Sequence, residues 1–572
     1  MRRAARAALV ALALAPAPAP AGEGTISPPE DVTLDGVPPI PAAVGKALAP
    51  YDEFRSHAML AWHPLRPEML VRLRLPGARN EALLVKQPGA APEAIIGLPG
   101  DVGHAAFEPR RGEYLVFTRS AEAGGEPRLY REDVASREIS ALSPEGESAT
   151  GVAWTRRGDR LAYMTRAQDR EPPGRERALV HVVDPLRAAS DRVLARLEGA
   201  GWSQPAFSED GRHLVLVQAL SARASRLWVM DAATGKRRAV TRGDAAYAEP
   251  RFARDGRSIF AIAARAAAPR RLVQVFLSGK ERTVSHVTHS VEDFDISFDA
   301  KRIAFTTEEE GSDVLRFIDL GTLKELPRPP LVPGVIRRLR WRPGTDEVAF
   351  DVVSARSAGD VFSYEVARNQ LTRWTNGNSP HLNTSAFVEP GTIRWKGADG
   401  RDVTGLLYRA PGSFKGKRPV IVSIDRAPGA PARTGFIGRD NYLVGELGVA
   451  LVRPDVREPS AVADVAGLLA WIAAQPDLDA SRVAIVGRGE GVALALDCAR
   501  SLGRPLLAAQ DGPEAFMAHA RAQRAAGDLR ARSIPAWLLF AHAGGFEEGP
   551  DARFLSEAAV EFAKRTLLKP GS

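Results

Sequence analysis

The chain has 572 residues, of which 45% are hydrophobic and 26% charged, with a formal net charge of +8. One hydrophobic core rarely organises more than roughly 300 residues, so at least two domains are expected in a globular protein of this composition. The charge is dispersed along the chain instead of gathered in a run of Lys and Arg, which argues against nucleic-acid binding.

The first 21 residues predict a secretory signal peptide. Arginines in the first six residues precede an apolar run over 7–15, and small residues around Ala21 suit cleavage. The run is too short to span a bilayer, and no later stretch of about 18 apolar residues follows. We therefore predict an exported protein that is not membrane-embedded, with an uncleaved anchor as the alternative. The Ala- and Arg-rich composition favours the periplasm of a Gram-negative bacterium.

Residues 55–378 repeat one pattern, in which an aromatic residue is followed by a turn and an apolar strand. The seven aromatic residues are Trp62, Phe107, Trp154, Phe207, Phe252, Phe298 and Trp341. A period in the mid-forties that holds about four short strands is typical of a propeller blade, which must stack on its neighbours to bury its faces. The repeats therefore predict a seven-bladed β-propeller.

The polar residues of the repeats are interpreted as structural. Asp-Gly turns suit the short loops between strands, and no pair of histidines has a companion at convincing metal-ligand spacing. The chain's one cysteine, Cys498, lies in a helical stretch and is expected to pack instead of reacting. We predict no metal and no cofactor.

From about residue 395 short apolar runs alternate mostly with helical stretches. The runs lie at 402–409, 418–424, 448–454, 482–487, 505–510 and 535–541, and the main helices at 461–475, 491–502, 514–530 and 551–567. This alternation predicts a mainly parallel sheet covered by helices on both faces. In such sheets chemistry lies beyond the carboxyl ends of the strands, and the glycine turn in "RVAIVGRGEGVALALDC" (482–498) occupies such an end.

A propeller followed by such a domain, joined through "RWKGADGRDVTGLLYRAP", resembles the prolyl oligopeptidase family of serine peptidases. The resemblance runs from Tyr51 to the C-terminus and is most specific in "GFIGRDNYLVGELGVALVRPDVR", "LLAWIAAQPDLDASRVAIVG" and "IPAWLLFAHAGGF". It predicts a shortened α/β-hydrolase domain after the propeller. The predicted divisions are a signal peptide (1–21), an N-terminal extension packing on the other domains (22–54), the propeller (55–378), a linker with the first hydrolase strand (379–411) and the truncated hydrolase domain (412–572).

The resemblance also shows which catalytic parts have changed. The family's nucleophile turn reads G-x-S-x-G, and "GRGEG" puts Gly489 where the serine stands and the backbone N–H of Glu490 where an oxyanion donor stands. The family's E-G-H-G-F segment corresponds to "AHAGGF", with Gly544 at the histidine and His542 as a displaced substitute. The acid falls on Glu514 or, with a small shift, Asp511, although acids also favour the start of a helix.

Supporting elements differ as well. The family's H-G-G-P motif appears as Asp425-Arg426-Ala427-Pro428, and its R-G-S-rich loop stops at Arg457-Glu458-Pro459. The family's strand between the elbow helix and "RPLLAAQ" is predicted to be missing.

Two other interpretations of the glycine turn are disfavoured. A dinucleotide-binding loop would need Gly or Ala at the position of Val492. A new acid or base at Glu490 would lie one residue beyond the apex of the turn.

The sequence thus predicts an exported, catalytically inactive homologue that binds peptides or a partner protein, with pairing to an active family member as one form of this. The alternatives are an active serine-type peptidase or esterase with altered catalytic residues, and a scaffold or relic without function.

Overall fold

The structure is a computed structural model that describes residues 24–75, 79–121, 125–166, 177–266, 268–377, 379, 381–425, 431–512, 515–542, 545–546 and 549–568, with the backbone alone at 515–518. The predicted signal peptide lies outside the described residues. Among the described helices, none is both long and apolar enough to cross a membrane.

Seven four-stranded antiparallel sheets follow one another along the chain and form the blades of a propeller. Blade 1 consists of Ser56–Trp62, Met69–Arg74, Glu81–Val85 and Glu93–Ala94, and blade 2 of Asp101–Phe107, Tyr114–Ser120, Arg128–Asp133 and Ile139–Ala141. Blade 3 consists of Thr150–Trp154, Leu161–Arg166, Arg177–Asp184 and Arg187–Glu198, and blade 4 of Trp202–Phe207, His213–Ser221, Ala224–Asp231 and Arg237–Ala239. Blade 5 consists of Ala246–Phe252, Ser258–Ala264, Arg271–Phe276 and Glu281–Thr283, and blade 6 of Ser290–Ile296, Arg302–Glu309, Ser312–Asp319 and Glu325–Leu326. Blade 7 consists of Val335–Trp341, Glu347–Ser354, Ser357–Glu365 and Gln370–Arg373.

The repeated aromatic residues lie at the ends of the first strands of the blades. Six of them are the last residue of that strand, and Phe298 follows two residues after Ile296. The propeller closes where blade 1 packs on blade 7. At this closure the side chain of Trp62 contacts that of Trp374, with ring centroids 5.3 Å apart. Stacking of neighbouring blades therefore buries the apolar faces that the alternating sequence pattern produces.

The C-terminal domain is built on an eight-stranded sheet. We number its strands β1 (Val32–Asp35), β2 (Gly391–Lys396), β3 (Asp402–Tyr408), β4 (Arg418–Ile424), β5 (Ala450–Pro454), β6 (Leu478–Arg488), β7 (Leu506–Asp511) and β8 (Ala536–Ala541). The spatial order is β1-β8-β7-β6-β4-β5-β3-β2. Strands β5, β4, β6, β7 and β8 run parallel, whereas β1, β2 and β3 pair antiparallel with their neighbours.

Helices cover both faces of this sheet. They are α1 (Ala42–Leu48), α2 (Asp440–Gly445), α3 (Ala461–Ala473), α4 (Val492–Leu502), α5 (Ala515–Ala531) and α6 (Gly549–Thr566). One apolar core lies between the sheet and α3, α4 and α5. A second lies between the other face and α1, α2 and α6. This arrangement places the glycine turn after β6 at the carboxyl edge of a sheet that is buried on both sides.

The N-terminal extension is part of the C-terminal domain. Strand β1 adds antiparallel to β8, with Val32 opposite Ala541, although some 500 residues separate them in sequence. The Asp35 carboxylate accepts a hydrogen bond from Arg530 at 2.8 Å. Because Val44 and Leu48 of α1 join the second core, the extension is anchored by apolar burial as well as by strand pairing.

Candidate functional site

The turn after β6, which we call the elbow turn (residues 487–491), joins the strand to α4 through a short 3₁₀ helix. Its two outer glycines are required by packing. A Cβ at Gly487 would lie 2.5 Å from the Cβ of Ala495, and one at Gly491 would overlap the backbone carbonyl of Ile424. The two glycines therefore let α4 approach the strands closely.

The apex of the elbow turn is different. Gly489 has a φ of +50°, in the left-handed region, and the nearest atom to an added Cβ would be a carboxylate oxygen of Asp511 at 3.9 Å. A side chain thus has space at the apex but would adopt a backbone conformation that L-residues rarely accept. Strain of that kind is typical of a turn that presents a nucleophile, yet here no side chain is presented.

Of the two residues predicted as the acid, Asp511 lies beside the apex. It is the last residue of β7, and its carboxylate accepts a hydrogen bond from the backbone N–H of Phe546 at 2.9 Å. Glu514 lies outside the described residues, as do Arg426, Ala427 and Pro428. Asp511 is therefore bonded to the loop after β8.

Of the two positions predicted for the histidine, Gly544 also lies outside the described residues. The ring Nε2 of His542 lies 2.7 Å from the hydroxyl of Thr33, which belongs to β1. The backbone N–H of His542 donates to the carbonyl of Asp31 at 3.0 Å. Strand β1 thus engages the ring of this histidine, and the residue just before β1 engages its backbone.

Asp511, which lies beside the apex, has the carboxylate of Asp551 near it. The pKa of Asp551, in the first turn of α6, is raised first by burial and then by the nearby carboxylates of Asp31 and Asp511. Within the described ranges, no group of three or more His, Cys, Asp and Glu side chains is arranged to hold a metal ion. Negative charge here would oppose an anion that develops at the apex, whereas acyl transfer requires donors at that place.

A second polar group, which the sequence did not reveal, forms around Arg488 of the elbow turn. Arg488 donates to both carboxylate oxygens of Asp440, each at 3.0 Å. Arg453 lies 3.5 Å from Asp425 and 3.9 Å from Asp440. The only sign of this pair in the sequence was an arginine, Arg488, inside a glycine turn. Its partner, Asp440, could not be identified because it lies 48 positions away in α2.

The other two residues weighed from the sequence lie in opposite environments. The side chain of Glu490 is exposed. Cys498 is fully buried in α4, and burial raises the pKa of its thiol to about 12, so the reactive thiolate is suppressed.

A cavity of about 1100 Å³ lies between the propeller and the C-terminal domain and reaches the elbow turn at Arg488. Blade 1 contributes Ser56, blade 7 contributes Ala358, and the N-terminal extension contributes Ile26 and Pro29. This volume is slightly above the usual range for small-molecule sites, so an extended segment of several residues can enter it.

An aromatic cluster borders the cavity. It joins the N-terminal extension, the linker between the domains and the segment around α2 through Tyr51, Phe54, Phe387, Phe436 and Tyr442. The closest pair, Phe54 and Phe436, has ring centroids 4.3 Å apart. Rings of this kind give an apolar peptide a rigid surface to pack against.

Comparison with solved structures identifies the fold. A puromycin-hydrolyzing peptidase of Mycobacterium tuberculosis is 17% identical, with 93% of this chain and 97% of that chain covered and a TM-score of 0.73. Prolyl oligopeptidase B from Galerina marginata, bound to a 25mer macrocyclization substrate, is 12% identical, with 92% and 91% covered and a TM-score of 0.73. Two prolyl endopeptidases are represented by a structure that is 14% identical, with 92% and 91% covered and a TM-score of 0.72. No protein-family model and no curated protein matches the sequence.

The chain therefore has the fold of the prolyl oligopeptidases, which is a propeller followed by an α/β-hydrolase domain. The fold class predicted from the sequence, with seven blades and a mainly parallel sheet, is confirmed.

Proposed function

We propose that this protein is an exported, catalytically inactive homologue of the prolyl oligopeptidases that binds peptides, or an extended segment of a partner protein, between its two domains. The observation that carries the proposal is Gly489, which stands at the apex of a nucleophile-type turn without a side chain. The cavity beside this turn supplies the space for the ligand.

The size of the expected catalytic loss supports inactivity. In a serine peptidase, removal of the serine or the histidine alone reduces turnover by roughly a millionfold, nearly as much as removal of the whole triad. Here the apex has no nucleophile, and His542 is hydrogen-bonded to Thr33. The carboxylates around Asp551 further disfavour an oxyanion.

Inactivity is tested by active-site labelling and turnover. The mature chain is treated with a fluorophosphonate probe and with peptidyl and ester substrates, beside an active peptidase of the same fold. We expect no labelling and no hydrolysis above the buffer rate. Gly489→Ser should stay inactive, because a serine also needs a base. Labelling of a serine in the unaltered chain that a mapped mutation abolishes would overturn the proposal. Turnover by the Gly489→Ser variant would show that His542 is placed to act as the base.

Peptide binding is tested by selection from a displayed peptide library on the immobilised mature chain. Ala358 lines the cavity, so Ala358→Trp should remove the selected peptides by filling it. Ala135 lies in an exposed turn of blade 2, and Ala135→Trp is the matched control that should bind normally. Equal binding by both variants would place the ligand elsewhere. If the library yields no binding peptide at all, the binding function is contradicted.

Export is tested by N-terminal sequencing of the protein from cell fractions. We expect a periplasmic protein that begins at Gly22. A full-length chain in the cytoplasm would refute export.

A further inference from the structure

More guanidiniums than carboxylates line the interdomain cavity. Four guanidiniums line it, those of Arg74 in blade 1, Arg439 before α2, Arg488 in the elbow turn and Arg553 in α6. The carboxylates that line it are those of Asp440 and Glu557. The partner of each group decides which charge is available to a ligand.

Arg488 is already neutralised. Its two terminal nitrogens donate to the two oxygens of Asp440, which is itself buried. A bidentate pair of this kind fixes both groups and leaves little charge for a third partner. Arg488 therefore lines the cavity but is not assigned as a residue that binds an anionic group of the ligand.

Arg439 and Arg553 share one carboxylate. Asp52 contacts the Nε of Arg439 with one oxygen, and its other oxygen lies 3.0 Å from the Nε of Arg553. The side chains of Asp52 and Arg439 are only 15% and 16% exposed, whereas that of Arg553 is 58% exposed. The single carboxylate of Asp52 thus pairs with two guanidiniums. Of these two, that of Arg553 is accessible to a ligand.

Glu557, the other carboxylate near Arg553 and Arg439, lies against α1. It lies one turn after Arg553 in α6, is buried, and has a carboxylate oxygen next to Gly45 of α1. Burial is the largest influence on its pKa and raises it, against the lowering effect of Arg553 and Arg439.

The apex of the elbow turn disfavours an anion. Asp511 lies beside it, and the carboxylates of Asp31 and Asp511 both raise the pKa of Asp551. An anionic group on a ligand is therefore favoured near Arg553, which lines the cavity, over the apex of the elbow turn.

We propose that the cavity selects peptides that carry a carboxylate, and that Arg553, supported by Arg439, is the residue that reads it. This inference rests on the proposed peptide-binding function and adds the chemical class of the ligand. A C-terminal carboxylate and an acidic side chain offer the same chemistry, and a guanidinium recognises either through paired hydrogen bonds.

The test uses calorimetric titration of the mature chain with N-acetylated hexapeptides of alanine and proline around one central glutamate. Four forms are compared: free acid, C-terminal amide, free acid with glutamine for glutamate, and amide with glutamine. We expect the uncharged form to bind about tenfold more weakly than the form that carries the selected carboxylate, which corresponds to about 1.4 kcal/mol. The intermediate forms identify whether the terminus or the side chain is read.

Arg553→Gln should remove this difference, and Arg553→Lys should retain part of it. The matched control is Arg565→Gln, since Arg565 lies in the same helix, is 40% exposed and pairs with Glu561. Thermal unfolding of each variant shows whether loss of the contact with Asp52 has altered the fold.

The outcomes separate the two claims. If all four peptides bind equally, or if Arg553→Gln folds and keeps the preference, the charge selection is wrong and the binding function stands. If none of the four hexapeptides binds and the library also yields no binding peptide, the binding function itself fails.

Discussion

The elbow turn and the end of β8 are the two places where the resemblance puts the family's serine and histidine, and they differ from the family in different ways. At the elbow turn the backbone is that of a nucleophile turn, with Gly487 and Gly491 packed against α4 and β4 and with Gly489 in the left-handed region. At the end of β8 the histidine bonds to Thr33, on a strand that arrives from the N-terminus.

The difference teaches that packing and chemistry impose separate constraints on such a site. The outer glycines hold the sheet and α4 together whatever residue stands at the apex. The apex touches few neighbours, so its chemistry can change without loss of the fold. Substitutions at each place should therefore have effects of very different size.

The largest effect is expected at Gly491. An added Cβ would overlap the Ile424 carbonyl and lie 2.9 Å from the backbone N of Asp425, neither of which can rotate away. Gly491→Ala should reduce the free energy of unfolding by about 3 kcal/mol or more, measured by urea denaturation. Gly527 of α5 has no atom within 4 Å of an added Cβ, so Gly527→Ala is the control and should stabilise the protein by up to about 1 kcal/mol. Equal effects would remove the packing argument.

A smaller effect is expected at the apex. Gly489→Ser meets no steric obstacle but must hold a non-glycine residue at a φ of +50°. We expect a loss of about 1–2 kcal/mol in the free energy of unfolding, from the left-handed backbone alone. A loss as large as that of Gly491→Ala would show that the apex is also fixed by packing.

The hydrogen bond between Thr33 and His542 should contribute less. Thr33→Val keeps the β-branched shape in β1 and removes the hydroxyl, so we expect a loss of about 0.5–1 kcal/mol. A double-mutant cycle with His542→Ala isolates this interaction, because Thr33→Val should have almost no further effect in the His542→Ala background. Independent, additive losses would mean that the two side chains do not interact.

An effect of the opposite sign is expected at Asp551. Its pKa is raised in the folded state, by burial and then by Asp31 and Asp511, so the ionised carboxylate disfavours folding. The folded state therefore loses stability as pH rises from the unfolded pKa, near 4, through the folded pKa. Asp551→Asn should stabilise the protein at pH 7 by about 0.5–1 kcal/mol and have little effect at pH 3. A destabilised variant at pH 7 would show that the carboxylate is held by a favourable contact.

Much of the fold follows from the sequence because it is encoded in short repeats. The aromatic residue, turn and alternating strand of each blade lie within one repeat, and stacking of similar units follows from their apolar faces. The glycine turn and its missing nucleophile are also local, since five consecutive residues define them. The acid was less certain because Glu514 and Asp511 are equally consistent with the start of a helix.

What the sequence determined by itself is therefore the set of local structures: the seven blades, the parallel sheet and an elbow turn without a serine. Only the tertiary structure decided what surrounds that turn. It joined β1 to β8, Arg488 to Asp440 and Asp52 to both Arg439 and Arg553. The physical reason is that local periodicity fixes each strand and helix, whereas burial of the two cores selects which distant segments meet at the edge of the sheet.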